Sequence, residues 1–180
     1  MCFALHFTDI SSAVIFCLDM PPPTQKTIEA KLASTHWNDS LVFHPILLSA
    51  IRDMYNSSVW ALRDFIRKAE LQRTFDTPTS IVQPDFVHLH ELARHVIHSN
   101  EVLDVALSTS QRLQARCLKS ARTGPSMKEP QDREEHLCER FEVLENDLLA
   151  IKRRSVSLHE RLQNEVQLVR KSPPKGAPRN

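Results

Sequence analysis

Glycine is almost missing from this chain, with two among 180 residues, Gly124 and Gly176. Tight hairpins and phosphate-cradling loops need backbone angles that glycine adopts at little cost, so sheet-rich folds and nucleotide-binding loops are disfavoured. The interior of a helix never needs such angles. Both glycines also fall where the sequence reads as linker or tail, which leaves long stretches free to be helical.

A periodic signal adds to this. From Leu137, alternating steps of four and three give Leu137, Phe141, Leu144, Leu148, Ile151, Ser155, Leu158, Leu162, Glu165 and Val169. All but Ser155 and Glu165 are apolar. The spacing averages about 3.5 residues, and such a seam keeps facing a partner only when the helix supercoils. The pattern predicts a stalk-like coiled-coil helix over 131–171, roughly 60 Å long at ~1.5 Å per residue. A rod of that length either folds along the rest of the chain or projects from it.

Two further helices are expected. One spans 45–73, with Pro45 in its first turn and an apolar stripe that includes Ile46, Leu47, Ile51, Met54, Tyr55, Leu62, Phe65, Ile66 and Ala69. The other spans 84–121, with Asp85 in its first turn and Leu89, Ala93, Val96, Leu103, Leu107, Leu113 and Cys117 inward. Pro78 with its Thr and Ser neighbours marks a loop over 74–83, and Gly124, Pro125 and Pro130 mark a linker over 122–130. A weaker helical pattern covers 24–34. At the front, Ala13 to Leu18 reads as a short buried strand and Phe3 to Phe7 as a second, closed off by Pro21-Pro22-Pro23. So small a strand pair is not stable alone, and must pack on helices or complete a larger sheet.

The fold expected is therefore mainly α: three long helices in an antiparallel bundle or stalk, with one or two short N-terminal strands. In order these are a strand segment at 1–23, a helical domain at 24–121, the linker at 122–130, the stalk helix at 131–171, and a disordered basic proline-rich tail at 172–180.

Charge and cysteine usage narrow the function. A net charge of +1 offers no basic surplus for nucleic acid. The longest apolar runs, such as Ala13 to Leu18, fall far short of the ~20 residues that span a bilayer. No Lys or Arg precedes Lys26, so a secretory leader is not expected. The cysteines Cys2, Cys17, Cys117 and Cys138 form no CxxC pair and no regular spacing. They read as reduced thiols of a cytoplasmic protein rather than a zinc site or disulfide framework.

Ligand-type residues crowd together once, in His88-Leu-His-Glu-Leu-Ala-Arg-His-Val-Ile-His98. On a helix His88, Glu91, His95 and His98 share one edge, and imidazoles with a carboxylate at that spacing suit zinc or a similar ion. The plainer alternative is a polar stripe beside the apolar face, pairing with Arg94 and Glu101. His90 and His95 stand five positions apart, so the HExxH spacing of zinc proteases is not met. Nothing selects a nucleophile and base from the remaining Cys and His. No catalytic site, small-molecule substrate or cofactor is expected. Trp37 and Trp60 read as packing residues, and Lys152-Arg153-Arg154 as part of the solvated side of the long helix.

Two segments carry a resemblance. Ser58-Val-Trp-Ala-Leu-Arg-Asp-Phe-Ile-Arg-Lys-Ala-Glu70, followed by Asp85-Phe-Val-His-Leu-His-Glu-Leu-Ala-Arg-His-Val-Ile-His-Ser-Asn-Glu-Val-Leu-Asp-Val-Ala106, resembles the cytoplasmic region of CorA-like magnesium transporters of one eukaryotic branch. Ser157-Leu-His-Glu-Arg-Leu-Gln-Asn-Glu-Val-Gln-Leu168 is similar to the end of that family's stalk helix. The resemblance covers roughly residues 1 to 169. It implies a cytoplasmic α/β domain, antiparallel helices, a long stalk leading to two membrane helices around a Gly-Met-Asn motif, pentameric assembly and Mg2+ as cargo. Here Leu168 is followed by Val169-Arg-Lys-Ser-Pro-Pro, without motif or pore, so no family metal residue carries over. The expectation is a truncated cytoplasmic domain that cannot conduct ions alone, and that associates with itself or a full-length relative through the long helix. The alternative is an unrelated coiled-coil interaction protein.

Overall fold

The computed structural model of the chain describes residues 2–7, 13–34, 40–75, 86–123 and 128–171. Within them run strands β1 (Cys2–Phe7) and β2 (Ala13–Leu18), then helices α1 (Pro22–Ala33), α2 (Phe43–Phe75), α3 (Phe86–Thr123) and α4 (Lys128–Lys171). A short 3-10 turn, Ser40–Val42, leads directly into α2. The protein is mainly α, with three long helices packed on one another and a small strand pair at the front.

The strands are antiparallel, with Cys2 opposite Leu18 and Phe7 opposite Ala13. Along β2 the side chains alternate. Val14, Phe16 and Leu18 are exposed, while Ile15 faces a small apolar cluster made by Ile28 of α1 and Ile46, Leu47 and Ala50 of α2. That alternation is the period of an extended strand with one covered face. Asp19 then turns the chain at φ 55, a left-handed position that aspartate tolerates better than bulkier residues do.

Proline plays two roles at this corner. Strand β2 has already ended at Leu18; Pro21 is the extended N-cap of α1, and Pro22 and Pro23 occupy its first positions, where a missing N–H leaves no helical bond unmade. The helix thus starts two residues before the expected 24. The same rule moves the other boundaries. Pro130 lies inside the first turn of α4 rather than in a linker, because that helix begins at Lys128, and α3 continues to Thr123. Of the expected 122–130 linker, residues 122, 123 and 128–130 are helical, and 124–127 lie outside the described residues. Helix α2 starts at Phe43, with Pro45 its third residue. Pro84, Asp85 and most of the 74–83 loop lie outside the described residues, as do residues 172–180.

The course of the bundle follows from its cross-links. Between α2 and α4, Arg52 meets Asp147, Asn56 meets Arg154 and Glu70 meets Arg161, the numbers rising together, so these helices run parallel. Between α3 and α4, Asp104 meets Lys152, Gln111 meets Glu145 and Cys117 meets Cys138, the numbers running in opposition, so these two are antiparallel. The result is an up-down-up bundle. Its core joins Val59, Leu62 and Ile66 of α2, Leu89, Leu92, Val96, Leu103 and Ala106 of α3, and the leucine-rich face of α4. At ~1.5 Å per residue, α4 is about 65 Å long, and it lies along its neighbours.

Candidate functional site

Helix α4 carries the leucine-rich seam expected from the sequence. Leu137, Phe141, Leu144, Leu148, Ile151, Leu158 and Leu162 are all buried, and each belongs to the main core. The side chain of Val169 lies outside the described residues. The apolar surface covering this seam comes from the same chain, from α2 and α3. Its polar positions are also inside. Ser155 is fully buried and Glu165 nearly so. A polar group at a seam position trades stability for a fixed register.

The edges of α4 are tied differently on its two sides. Toward α2, Arg52 donates to Asp147 at 2.9 Å, and Arg161 donates to both carboxylate oxygens of Glu70, at 2.9 and 2.6 Å. Burial alone would lower the Arg52 guanidinium, but hydrogen bonds and charge from Asp53 and Asp147 outweigh it and raise the pKa. For Arg161 the hydrogen bonds from Glu70 dominate, against a smaller burial effect, and the shift is again upward. Both pairs are substantially solvated, so each contributes no more than about 1 kcal/mol. Between them stands Trp60, with Arg63 of its own helix and Arg154 of α4 each 4.4 Å from the ring centroid. The Arg154 guanidinium also donates to Asn56 at 3.2 Å. Trp60 is 39% exposed rather than packed in the core, and its contacts form a cation–π sandwich that joins two helices, while Trp37 lies outside the described residues. Of the run Lys152-Arg153-Arg154, Arg153 is exposed, whereas Lys152 pairs with Asp104 and Arg154 faces Trp60.

Toward α3 the ties are Asp104–Lys152, Gln111 to Glu145 at 2.9 Å, and a long bond from the buried Ser110 hydroxyl to the Phe141 carbonyl at 3.5 Å. At the linker end, Cys117 and Cys138 form a disulfide with Cα atoms 5.9 Å apart. This corrects the expectation of four reduced thiols. An antiparallel hairpin aligns residues equally far from its turn, and Cys117 and Cys138 are ten residues before and eleven after position 127. Spacing tests for CxxC motifs are blind to that symmetry. Cys17 is a free thiol whose pKa burial raises, and the Cys2 side chain lies outside the described residues.

The histidine stripe is placed on the outside. His88, Glu91, His95 and His98 are exposed along α3. Glu91 accepts from Arg94 at 2.9 Å, and the His88 ring meets Phe65 edge-on with centroids 6.2 Å apart. Among the described residues no three His, Cys, Asp or Glu side chains gather as a metal site. On the outer side of α4 an open groove of about 350 Å³ is lined by Leu149, Lys152, Arg153, Val156, Ser157 and Glu160.

Set beside known proteins, the chain is similar to Notoamide biosynthesis cluster protein M' of Aspergillus versicolor. Identity is 27% over 173 residues, covering 89% of this chain and 38% of that protein. The chain thus spans less than half the length of the curated relative it matches. No protein-family model and no solved structure matches the chain. Among the described residues no helix is long and apolar enough to cross a membrane.

Proposed function

We propose that this chain is the cytoplasmic helical part of a CorA-like divalent-cation transport protein, contributing packing and assembly rather than catalysis. The observation that carries this reading is the order of elements: a strand pair, the short α1, the packed helices α2 and α3, then the 44-residue α4 running beside both. The resemblance implies antiparallel helices followed by a long stalk helix. The resembling segments, Ser58 to Glu70 and Asp85 to Ala106, supply Val59, Leu62, Ile66, Leu89, Leu92, Val96, Leu103 and Ala106 to the core. Their shared role is to dock α2 on α3 and to hold α4. Mg2+ enters only as the cargo that the resemblance implies.

In this reading ion conduction belongs to membrane-spanning segments that none of the described helices supplies. Association, with a second copy or with a full-length relative, has to use surfaces other than the buried seam, or else draw α4 away from α2 and α3. Two measurements test the proposal. Transcripts read downstream of the Leu168 codon should include a frame encoding two hydrophobic spans around Gly-Met-Asn. If every transcript lacks them, the reading fails. Liposomes carrying the isolated chain should show no magnesium uptake, and uptake above background would also end it.

A second reading is favoured by one feature. The leucine seam is closed within the chain, as in a self-sufficient interaction module, rather than left open as a stalk. Loss of the transport-family frame in the transcript test would leave this reading standing.

A further inference from the structure

We propose that Cys117 and Cys138 form a thiol–disulfide switch that sets how tightly the linker end of the α3–α4 hairpin is closed. The pair is the covalent link between the two helices, and it spans 21 positions of sequence across the linker. Its position matters more than its presence. Cys117 lies six residues from the end of α3, and Cys138 ten residues into α4. Helix ends open more readily than helix centres, so the sulfurs become reachable through local opening without global unfolding. Between such events they are shielded, Cys117 at 1% and Cys138 at 8% exposure.

The rest of the interface does not need the bond. Beyond Cys138 the buried face from Phe141 to Leu162 continues along α4, with Gln111–Glu145 and Asp104–Lys152 beside it. Reduction therefore leaves the bundle folded and loosens one end. Oxidation restores closure by removing loop entropy from the opened state. Because the interface beyond Cys138 stays docked, the link restricts only the loosened end, and its effect is smaller than the roughly hundredfold expected for closing a free loop of ~20 residues. The neighbours most affected are Leu113 and Leu137, which pack in the core nearest the sulfurs in sequence.

The chemistry balances with a disulfide co-reactant such as oxidised glutathione. One cysteine thiolate attacks a glutathione sulfur, breaking the S–S bond and expelling a glutathione thiolate. The second cysteine thiolate attacks the protein sulfur of the mixed disulfide and expels the other. The two protons lost by the cysteines end on the two glutathione thiolates, and two electrons pass from protein to glutathione. The reverse exchange opens the clasp. Both cysteines come from one chain, so the exchange adds no intermolecular bond.

The test uses the full chain equilibrated in stepped mixtures of reduced and oxidised glutathione. Acid-quenched alkylation and peptide mass spectrometry give the fraction of Cys117–Cys138 linkage. Amide hydrogen exchange follows residues 110–142. The expected result is a reversible change of state across the glutathione series. Exchange near Leu113 and Leu137 should be several-fold slower in the oxidised form, with helix signal unchanged. A Cys138→Ser chain should exchange like the reduced protein in every mixture. The wild-type comparison stands alone if that variant does not fold. A pair that stays wholly thiol in oxidised glutathione overturns the proposal. So does one that stays wholly disulfide in reduced glutathione, or one whose two states exchange alike.

Discussion

Replacing Phe141 by alanine tests whether α4 is held by its own chain. Phe141 is fully buried on the α4 seam, and its carbonyl accepts the Ser110 hydroxyl of α3. Net of what alanine still buries, the ring removes roughly 100–150 Å² from water, or about 2.5–4 kcal/mol at ~25 cal/mol per Å². The cavity left behind brings the cost to about 3–5 kcal/mol. For a domain whose total stability is about 5–15 kcal/mol this is a large fraction. Val143, two residues on and 58% exposed, is the control, and Val143→Ala should change stability by no more than about 0.5 kcal/mol. Urea unfolding followed by circular dichroism at two protein concentrations gives both numbers. Because α2 and α3 cover the seam within one chain, the midpoints should not depend on concentration. Equal costs for the two variants would refute the burial of Phe141 between α4 and its neighbours. A wild-type midpoint that climbs with concentration would show that another chain covers the seam.

Two further outcomes are expected. Tyr55 is the sole tyrosine, and burial raises its pKa. In the unfolded chain it ionises near the ordinary value of about 10, and in the folded chain later. Its contribution is thus complete below about pH 10 and is lost as pH rises through the folded value. Tyrosinate absorbance should titrate later in native than in urea-unfolded protein, and coincident curves would contradict the burial. In a Trp37→Phe background, Arg154→Ala should change Trp60 emission and lower stability by roughly 1 kcal/mol through loss of the stack and of the Asn56 bond. The exposed Arg153→Ala should do neither, and equal effects would argue against the sandwich.

Much of the secondary structure was legible because its signals are local. The stripe from Ile46 to Ala69 and the four-three steps from Leu137 each report the period of one element. The unbroken apolar run Ala13 to Leu18, by contrast, reads as a buried strand, and only the structure shows Val14, Phe16 and Leu18 exposed. The misplaced boundaries at Pro22, Pro45 and Pro130 have one cause. Proline breaks a helix from within but is welcome in its first turn, and sequence alone does not say on which side of it a helix begins. The histidine edge shows a different limit. Helical spacing put His88, Glu91, His95 and His98 on one edge, but only the packing of α2 and α4 determined that this edge faces outward.

By itself, then, the sequence determined that α4 must be a long helix with a face needing cover, since burial of leucine depends on area and not on what supplies it. Tertiary structure decided what supplies it. Only with α2 parallel and α3 antiparallel to α4 do Glu70 reach Arg161, Trp60 lie between Arg63 and Arg154, and Cys117 meet Cys138. The cross-links between helices join residues 21 to 98 positions apart. A local period carries no information over such separations. Helix order and register carry it instead.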